Sequence, residues 1–133
     1  MKVLAFIFST FWLFGCTNTS KEKEVFANAA SIHNEMMKTV EAMEEQIATL
    51  EKDSINSVPP DSLTAWKEAI ELWESDIVEV PGNEEHHDHK EGEHHQHDHK
   101  TVEVTAEQML FIQQELSTRL ASIKSRIEAS IKK

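Results

Sequence analysis

The stretch AASIHNEMMKTVEAMEEQIATL, residues 29–50, decides the fold of this chain. Its apolar side chains recur every three or four residues, at Ala29, Ile32, Met36, Val40, Met43, Ile47 and Leu50. This spacing places them on one face of an α-helix, and glutamates occupy the opposite face. We therefore predict a helix over residues 22–53 that buries one side.

Two later stretches repeat this spacing. The second stripe consists of Leu63, Trp66, Ile70, Trp73, Ile77 and Val80, and the third of Met109, Ile112, Leu116, Leu120, Ile123, Ile127 and Ile131. The sequence PPDS at residues 59–62 supplies a stop and an N-cap for the second helix, and Pro81 with Gly82 ends it. Thr105 and Gln108 have the spacing of a capping box. We predict helices over residues 62–80 and 106–131.

Three amphipathic helices in a short chain must bury their stripes against one another, because an isolated helix is marginal in water. The short link between the first two makes them antiparallel neighbours. The predicted fold is all-α, an up-down-up three-helix bundle within residues 22–133. The alternative is a coiled-coil homodimer built from the long first and third helices.

Composition narrows the function classes. With 133 residues the chain holds one domain, and three Gly, three Pro and no Tyr disfavour an all-β fold. The net charge of −11 argues against a nucleic-acid partner. A single Cys excludes an internal disulfide, a CxxC redox centre and a thiolate zinc site.

The first residues have the pattern of a lipoprotein signal peptide. Lys2 precedes the apolar run at residues 3–14, which is too short to span a bilayer and ends at Gly15 and Cys16. This end resembles the bacterial lipobox, whose Cys is diacylated after cleavage. We predict a signal peptide at residues 1–15, a covalent lipid on Cys16, a tether through residue 21, and anchoring in the bacterial envelope, with the outer membrane favoured over the inner one. The alternative is a secreted protein in which Cys16 is incidental.

A histidine-rich tract separates the second and third helices. Residues 83–101 contain no apolar side chain, which predicts a disordered loop. The loop includes EHHDHK at residues 85–90 and EHHQHDHK at 93–100, so that it holds seven of the eight His, namely His86, His87, His89, His94, His95, His97 and His99. Neutral imidazole is a common ligand of zinc, copper and nickel, and these seven with nearby carboxylates suffice for about two four-coordinate ions. A solvated spacer and a pH sensor are the alternatives.

The eighth histidine, His33, lies on the first helix with Met36 and Met37 at the positions that share its face. Imidazole and thioether groups form a copper(I)-like ligand set, which makes these three residues a secondary metal-site candidate. The alternative is a structural role in the core. The length of the second helix predicts that the His-rich loop leaves the bundle close to His33.

Three motifs carry a resemblance to a known family. They are IHNEMM at residues 32–37, Trp73 followed by VEVPG at 78–82 before the His-rich tract, and TAEQM at 105–109. Together they resemble small helical lipoproteins of Bacteroidota that often carry the label "viral A-type inclusion protein". The resemblance implies an envelope lipoprotein with a helical body and implies no reaction.

Catalytic signatures are missing from the sequence. There is no HExxH motif and no glycine-rich phosphate loop, and the clustered His fall on a segment predicted to lack a fixed structure. We therefore expect no enzyme. The predicted function is a membrane-anchored lipoprotein that binds Zn, Cu or Ni as a buffer, sink or delivery partner. The alternative is a structural or adaptor protein that binds another envelope protein.

Overall fold

A computed structural model describes residues 18–53, 58–83 and 102–131 of the chain. These residues form three α-helices: α1 (Asn18–Lys52), α2 (Pro60–Glu74) and α3 (Ala106–Ile131). Helix α1 packs against both α2 and α3, and α2 packs against α3. The predicted three-helix bundle is confirmed, and the apolar face of α1 is buried within one chain.

Contacts between distant residues define the up-down-up order. Lys67 in the middle of α2 pairs with Glu51 near the end of α1, with 2.8 Å between Nζ and Oε1. Val80, which follows α2, packs on Ala29 in the first half of α1. The indole Nε1–H of Trp73 donates to the carbonyl oxygen of Leu116 on α3 at 2.9 Å. Further along the chain, the carbonyl oxygen of Val78 accepts a hydrogen bond from Gln113, which lies before Leu116 on α3. Helix α2 is therefore antiparallel to both neighbours, and α1 and α3 run parallel.

The core follows a heptad-like pattern along the two parallel helices. The buried positions of α1 include Ala29, His33, Met36, Val40, Met43 and Ile47, with Met37 buried beside them, and those of α3 include Met109, Gln113, Leu116, Leu120 and Ile127. The α1 positions step by four and three residues, and the α3 positions do the same once the partly buried Ile123 is included. Five of the six α1 positions differ by 80 from one of these buried α3 positions, which is the separation that the contact between His33 and Gln113 spans. Alternating steps of four and three keep one seam of each helix facing the other. Helix α2 covers this seam with Leu63, Ile70 and Trp73.

The N-terminus of α3 has the predicted capping box. The backbone N–H of Thr105 donates to Oε1 of Gln108 at 2.9 Å, and the backbone N–H of Gln108 donates to Oγ1 of Thr105 at 3.3 Å. The two side chains thus satisfy each other's otherwise unpaired amides. The observed bounds of α3 agree with the predicted range 106–131.

The predicted end of α2 is wrong. The helix stops at Glu74, not at residue 80, although Ile77 and Val80 are buried as the apolar stripe required. The backbone N–H of Asp76 and that of Ile77 each donate to a carbonyl three residues earlier, and the hydroxyl of Ser75 donates to Leu72 O. The hydroxyl bond of Ser75 competes with a continuing helix, because Ser side chains favour such local hydrogen bonds. The buried side chains of Ile77 and Val80 therefore belong to a segment that is not helical.

The remaining boundaries differ by a few residues. Helix α2 begins at Pro60, two residues before the predicted start, and its N-cap Pro59 makes no side-chain capping bond. Proline is well suited to the first helical position because it has no N–H to leave unpaired. Helix α1 begins at Asn18, so that residues 18–21 of the predicted tether are helical, and it ends at Lys52. These polar residues carry no apolar periodicity from which a helix could be predicted.

Candidate functional site

Most of the residues to which the sequence assigns a function lie outside the described residues. This holds for the signal peptide at residues 1–15, for Cys16, and for the seven His of the tract, His86 to His99. The structure does describe both points at which the chain enters and leaves the interval 84–101. It also describes His33, Met36 and Met37.

The chain reaches the start of the segment 84–101, which contains the His-rich tract, beside α1. Residues 80–83 form a turn in which the backbone N–H of Asn83 donates to Val80 O at 3.1 Å. Pro81 and Gly82 occupy the two central positions, and Gly82 has φ +78°, a conformation that favours glycine. The turn brings the side chain of Asn83 to that of Asn34. Their amides exchange two hydrogen bonds, of 2.8 and 3.3 Å.

The chain returns at the same end of the bundle. Val102 and Val104 pack on a small apolar cluster formed by Ala29, Val80 and Met109. Both ends of the interval 84–101 are therefore held against the first half of α1. The tract was expected to leave the bundle close to His33. Asn83 reaches the residue next to His33, although it does so from a non-helical segment.

A buried polar network surrounds His33. Its side chain is 1% exposed, and Gln113 on α3 is 0% exposed. The Nε2–H of Gln113 donates to the carbonyl oxygen of Val78 at 2.7 Å, which leaves its Oε1 as an acceptor. The Nδ1–H of His33 donates to that oxygen at 3.3 Å. The network joins all three parts of the fold, because His33 lies on α1, Gln113 on α3 and Val78 after α2.

The other ring nitrogen of His33 faces an acidic side chain. Its Nε2 lies 3.8 Å from Oε2 of Glu79, whose side chain is 34% exposed. Both ring nitrogens of this buried imidazole thus face oxygen atoms. The carboxylate of Glu79 connects the buried ring to the protein surface.

Met36 and Met37 are core residues in this structure. They are 3% and 5% exposed and belong to the principal hydrophobic cluster with Val40 and Ile47. The oxygen contacts of His33 and the apolar surroundings of the two thioethers favour the structural alternative for this trio. A copper(I) site formed by the three residues stays a prediction.

The described part of the chain contains no group of three or more His, Cys, Asp or Glu side chains placed to hold a metal ion. None of its helices is both long enough and apolar enough to cross a membrane.

Three polar residues of this site were not indicated by the apolar stripes of the sequence, namely Gln113, Glu79 and Asn83. For Gln113 a signal existed, because position 113 lies four residues after Met109 and three before Leu116.

Comparisons with protein-family models, with curated proteins and with solved structures give no match to this chain.

Proposed function

We propose that the chain is a non-enzymatic, membrane-anchored envelope lipoprotein that binds transition-metal ions through its His-rich tract, as a buffer, sink or delivery partner. One observation carries the proposal: residues 86–99 contain seven His interleaved with Asp, Glu and Lys. Imidazole nitrogens are ligands for zinc, copper and nickel, and adjacent carboxylates add oxygen donors.

The helical body of the protein supports a division in which the tract binds metal and the helices form the core. The principal core draws on all three helices, and it includes Val40, Trp73 and Leu120. The interval of 18 residues between Asn83 and Val102 starts and ends on that body. A chain segment held at both ends can wrap an ion while the helices keep their packing. A segment that is predicted from its sequence to be disordered loses conformational entropy when it wraps an ion, so we expect affinity on the order of micromolar.

The proposed anchor, Cys16, precedes the half of α1 against which the tract begins and ends. Helix α1 begins at Asn18, two positions after Cys16, and Asn34 follows 16 residues later. At 1.5 Å per residue, the start of the tract is about 24 Å along the helix from Asn18. A lipid on Cys16 would hold the start of the tract within a few tens of ångströms of the membrane surface.

Replacing all seven tract His with Ser should remove metal binding by the tract. In calorimetric titrations of zinc into the full chain, we expect the substituted chain to bind about two fewer ions than the parent. Binding to the parent should weaken below about pH 6.5, because protons compete for the imidazole nitrogens. A matched control replaces Lys90 and Lys100 in the same tract with Ser and should retain binding. Equal stoichiometry in the parent and the seven-Ser chain would refute the proposal.

Replacing Cys16 with Ala should release the protein from the membrane, because the thiol is the proposed acylation site. In cells we expect the substituted chain to lose acyl labelling and to leave the membrane fraction, since the combined acyl chains supply stable anchoring. Cell fractionation with a carbonate wash measures this, and a Thr17→Ala chain serves as the control. Retention of Cys16→Ala in the washed membranes would contradict the lipoprotein proposal.

One observation favours the second candidate, an adaptor that binds another envelope protein. Phe111 on α3 is 62% exposed and lines a surface groove with Val104 and Ile112. Exposed aromatic side chains are common at protein interfaces. The zinc titration bears on the choice between the two candidates, because a chain without tract-dependent metal binding would leave the adaptor as the better-supported one.

A further inference from the structure

His33 and Glu79 bring two metal-ligand atoms together in the folded body. His33 lies on α1, and Glu79 lies in the segment that follows α2, 46 residues later in the sequence. Their Nε2 and Oε2 atoms are 3.8 Å apart, beyond ordinary hydrogen-bond distance. Two ligands bound to one tetrahedral zinc ion are separated by about 3.4 Å, given metal–ligand bonds of about 2.1 Å. A shift of a few tenths of an ångström in the exposed part of Glu79 would close this difference.

The orientation of His33 is fixed from its far side. Gln113 uses its Nε2–H for the carbonyl of Val78, so that its Oε1 accepts from the Nδ1–H of His33. A neutral imidazole protonated on Nδ1 presents the lone pair of Nε2, which is the atom that faces Glu79. Metal-bound histidines use this arrangement, in which the second ring nitrogen donates to a neighbouring oxygen and thereby sets the tautomer and the ring plane.

The position of Glu79 is also constrained on both sides. The preceding residue, Val78, accepts the hydrogen bond from Gln113, and the following residue, Val80, is buried and begins the turn to Asn83. Asn83 is in turn bound to Asn34, the neighbour of His33. The side chain of Glu79 is nevertheless one-third exposed, so that an ion from solvent can reach the carboxylate.

We propose that Nε2 of His33 and the carboxylate of Glu79 form a two-donor binding site for a divalent transition-metal ion of the zinc class, with solvent completing the coordination. One neutral imidazole and one carboxylate suit zinc or copper(II), whereas copper(I) prefers the thioethers that lie in the core at Met36 and Met37. This site is separate from the His-rich tract and does not rest on metal binding there.

The test uses the full chain with the seven tract His replaced by Ser, which leaves His33 as its one imidazole. Zinc chloride alone is titrated while the ring nitrogens are followed by long-range proton–nitrogen NMR. We expect the Nε2 resonance of His33 to shift with saturable, one-site behaviour while Nδ1 keeps its proton. A Nε2 resonance that does not respond to zinc would overturn the proposal, whatever the variants below show.

Glu79→Gln in this background should weaken zinc binding at least about tenfold, because the amide removes the anionic donor and keeps the shape of the side chain. The matched control is Glu71→Gln, which makes the same charge change at an exposed position of α2 and should leave the affinity within about twofold. Equal affinities in Glu79→Gln and Glu71→Gln would also overturn the proposal. Neither failure would alter the tract-dependent binding measured in the unsubstituted chain, so this proposal and the proposed function fail separately.

Discussion

Replacing Trp73 with alanine is expected to lower the free energy of unfolding by about 3–5 kcal/mol, the usual cost of truncating a large buried aromatic side chain. Trp73 is 1% exposed and packs within the principal cluster of the bundle. Its indole N–H also donates to Leu116 O at 2.9 Å and so ties α2 to α3. Since a small domain has only about 5–15 kcal/mol in total, this single change removes a large share of the stability.

Urea denaturation followed by far-ultraviolet circular dichroism measures this effect. The matched control is Leu72→Ala, the adjacent residue of the same helix, whose side chain is 68% exposed. Its truncation should change the free energy of unfolding by no more than about 0.5 kcal/mol. Similar losses for the two substitutions would mean that α2 does not pack as described.

The second large effect is expected at the buried polar network. Gln113→Leu should cost about 1–3 kcal/mol, because it leaves the buried Nδ1–H of His33 and the carbonyl of Val78 without the amide that now binds them. His33→Leu should be similarly costly, because it removes the donor to Gln113 Oε1. The double substitution should be less costly than the sum by at least about 1 kcal/mol, since neither partner is then left behind.

A double-mutant cycle measured by urea denaturation gives this coupling. The control cycle pairs Gln113→Leu with Leu72→Ala, which share no partner and should add within about 0.5 kcal/mol. Additive losses for His33 and Gln113 would show that the two side chains do not act as a unit. Coupling would support a role for this polar pair in setting the parallel register of α1 and α3.

The fold was largely predictable because each helix carries its own signals. The stripe from Ala29 to Leu50 specifies α1, and the Thr105–Gln108 capping box defines the start of α3 to the residue. The end of α2 was not predictable from its stripe. Ile77 and Val80 continue the three- and four-residue spacing, but they are buried from a non-helical segment that tertiary contacts hold in place. The spacing of apolar residues predicts which side chains are buried. It does not determine the backbone conformation of the segment that carries them.

The surroundings of His33 were less predictable than His33 itself. The sequence singled out His33 through its helical neighbours Met36 and Met37, whereas the structure surrounds the ring with Gln113 and Glu79. These partners are 80 and 46 residues away in the chain. Such contacts depend on the register between helices and on the path of the segment after α2, which local sequence patterns do not encode.

The most direct test of metal binding by the tract is a zinc titration of the full chain followed by NMR, with the histidine side chains and the Trp73 indole observed together. The indole N–H reports on the core, because it is buried and bound to Leu116 O. We predict that the imidazole resonances of the seven tract His shift as zinc is added while the Trp73 indole resonance stays in place. Unchanged tract imidazoles at saturating zinc would contradict the proposed function, whether or not the indole resonance moves.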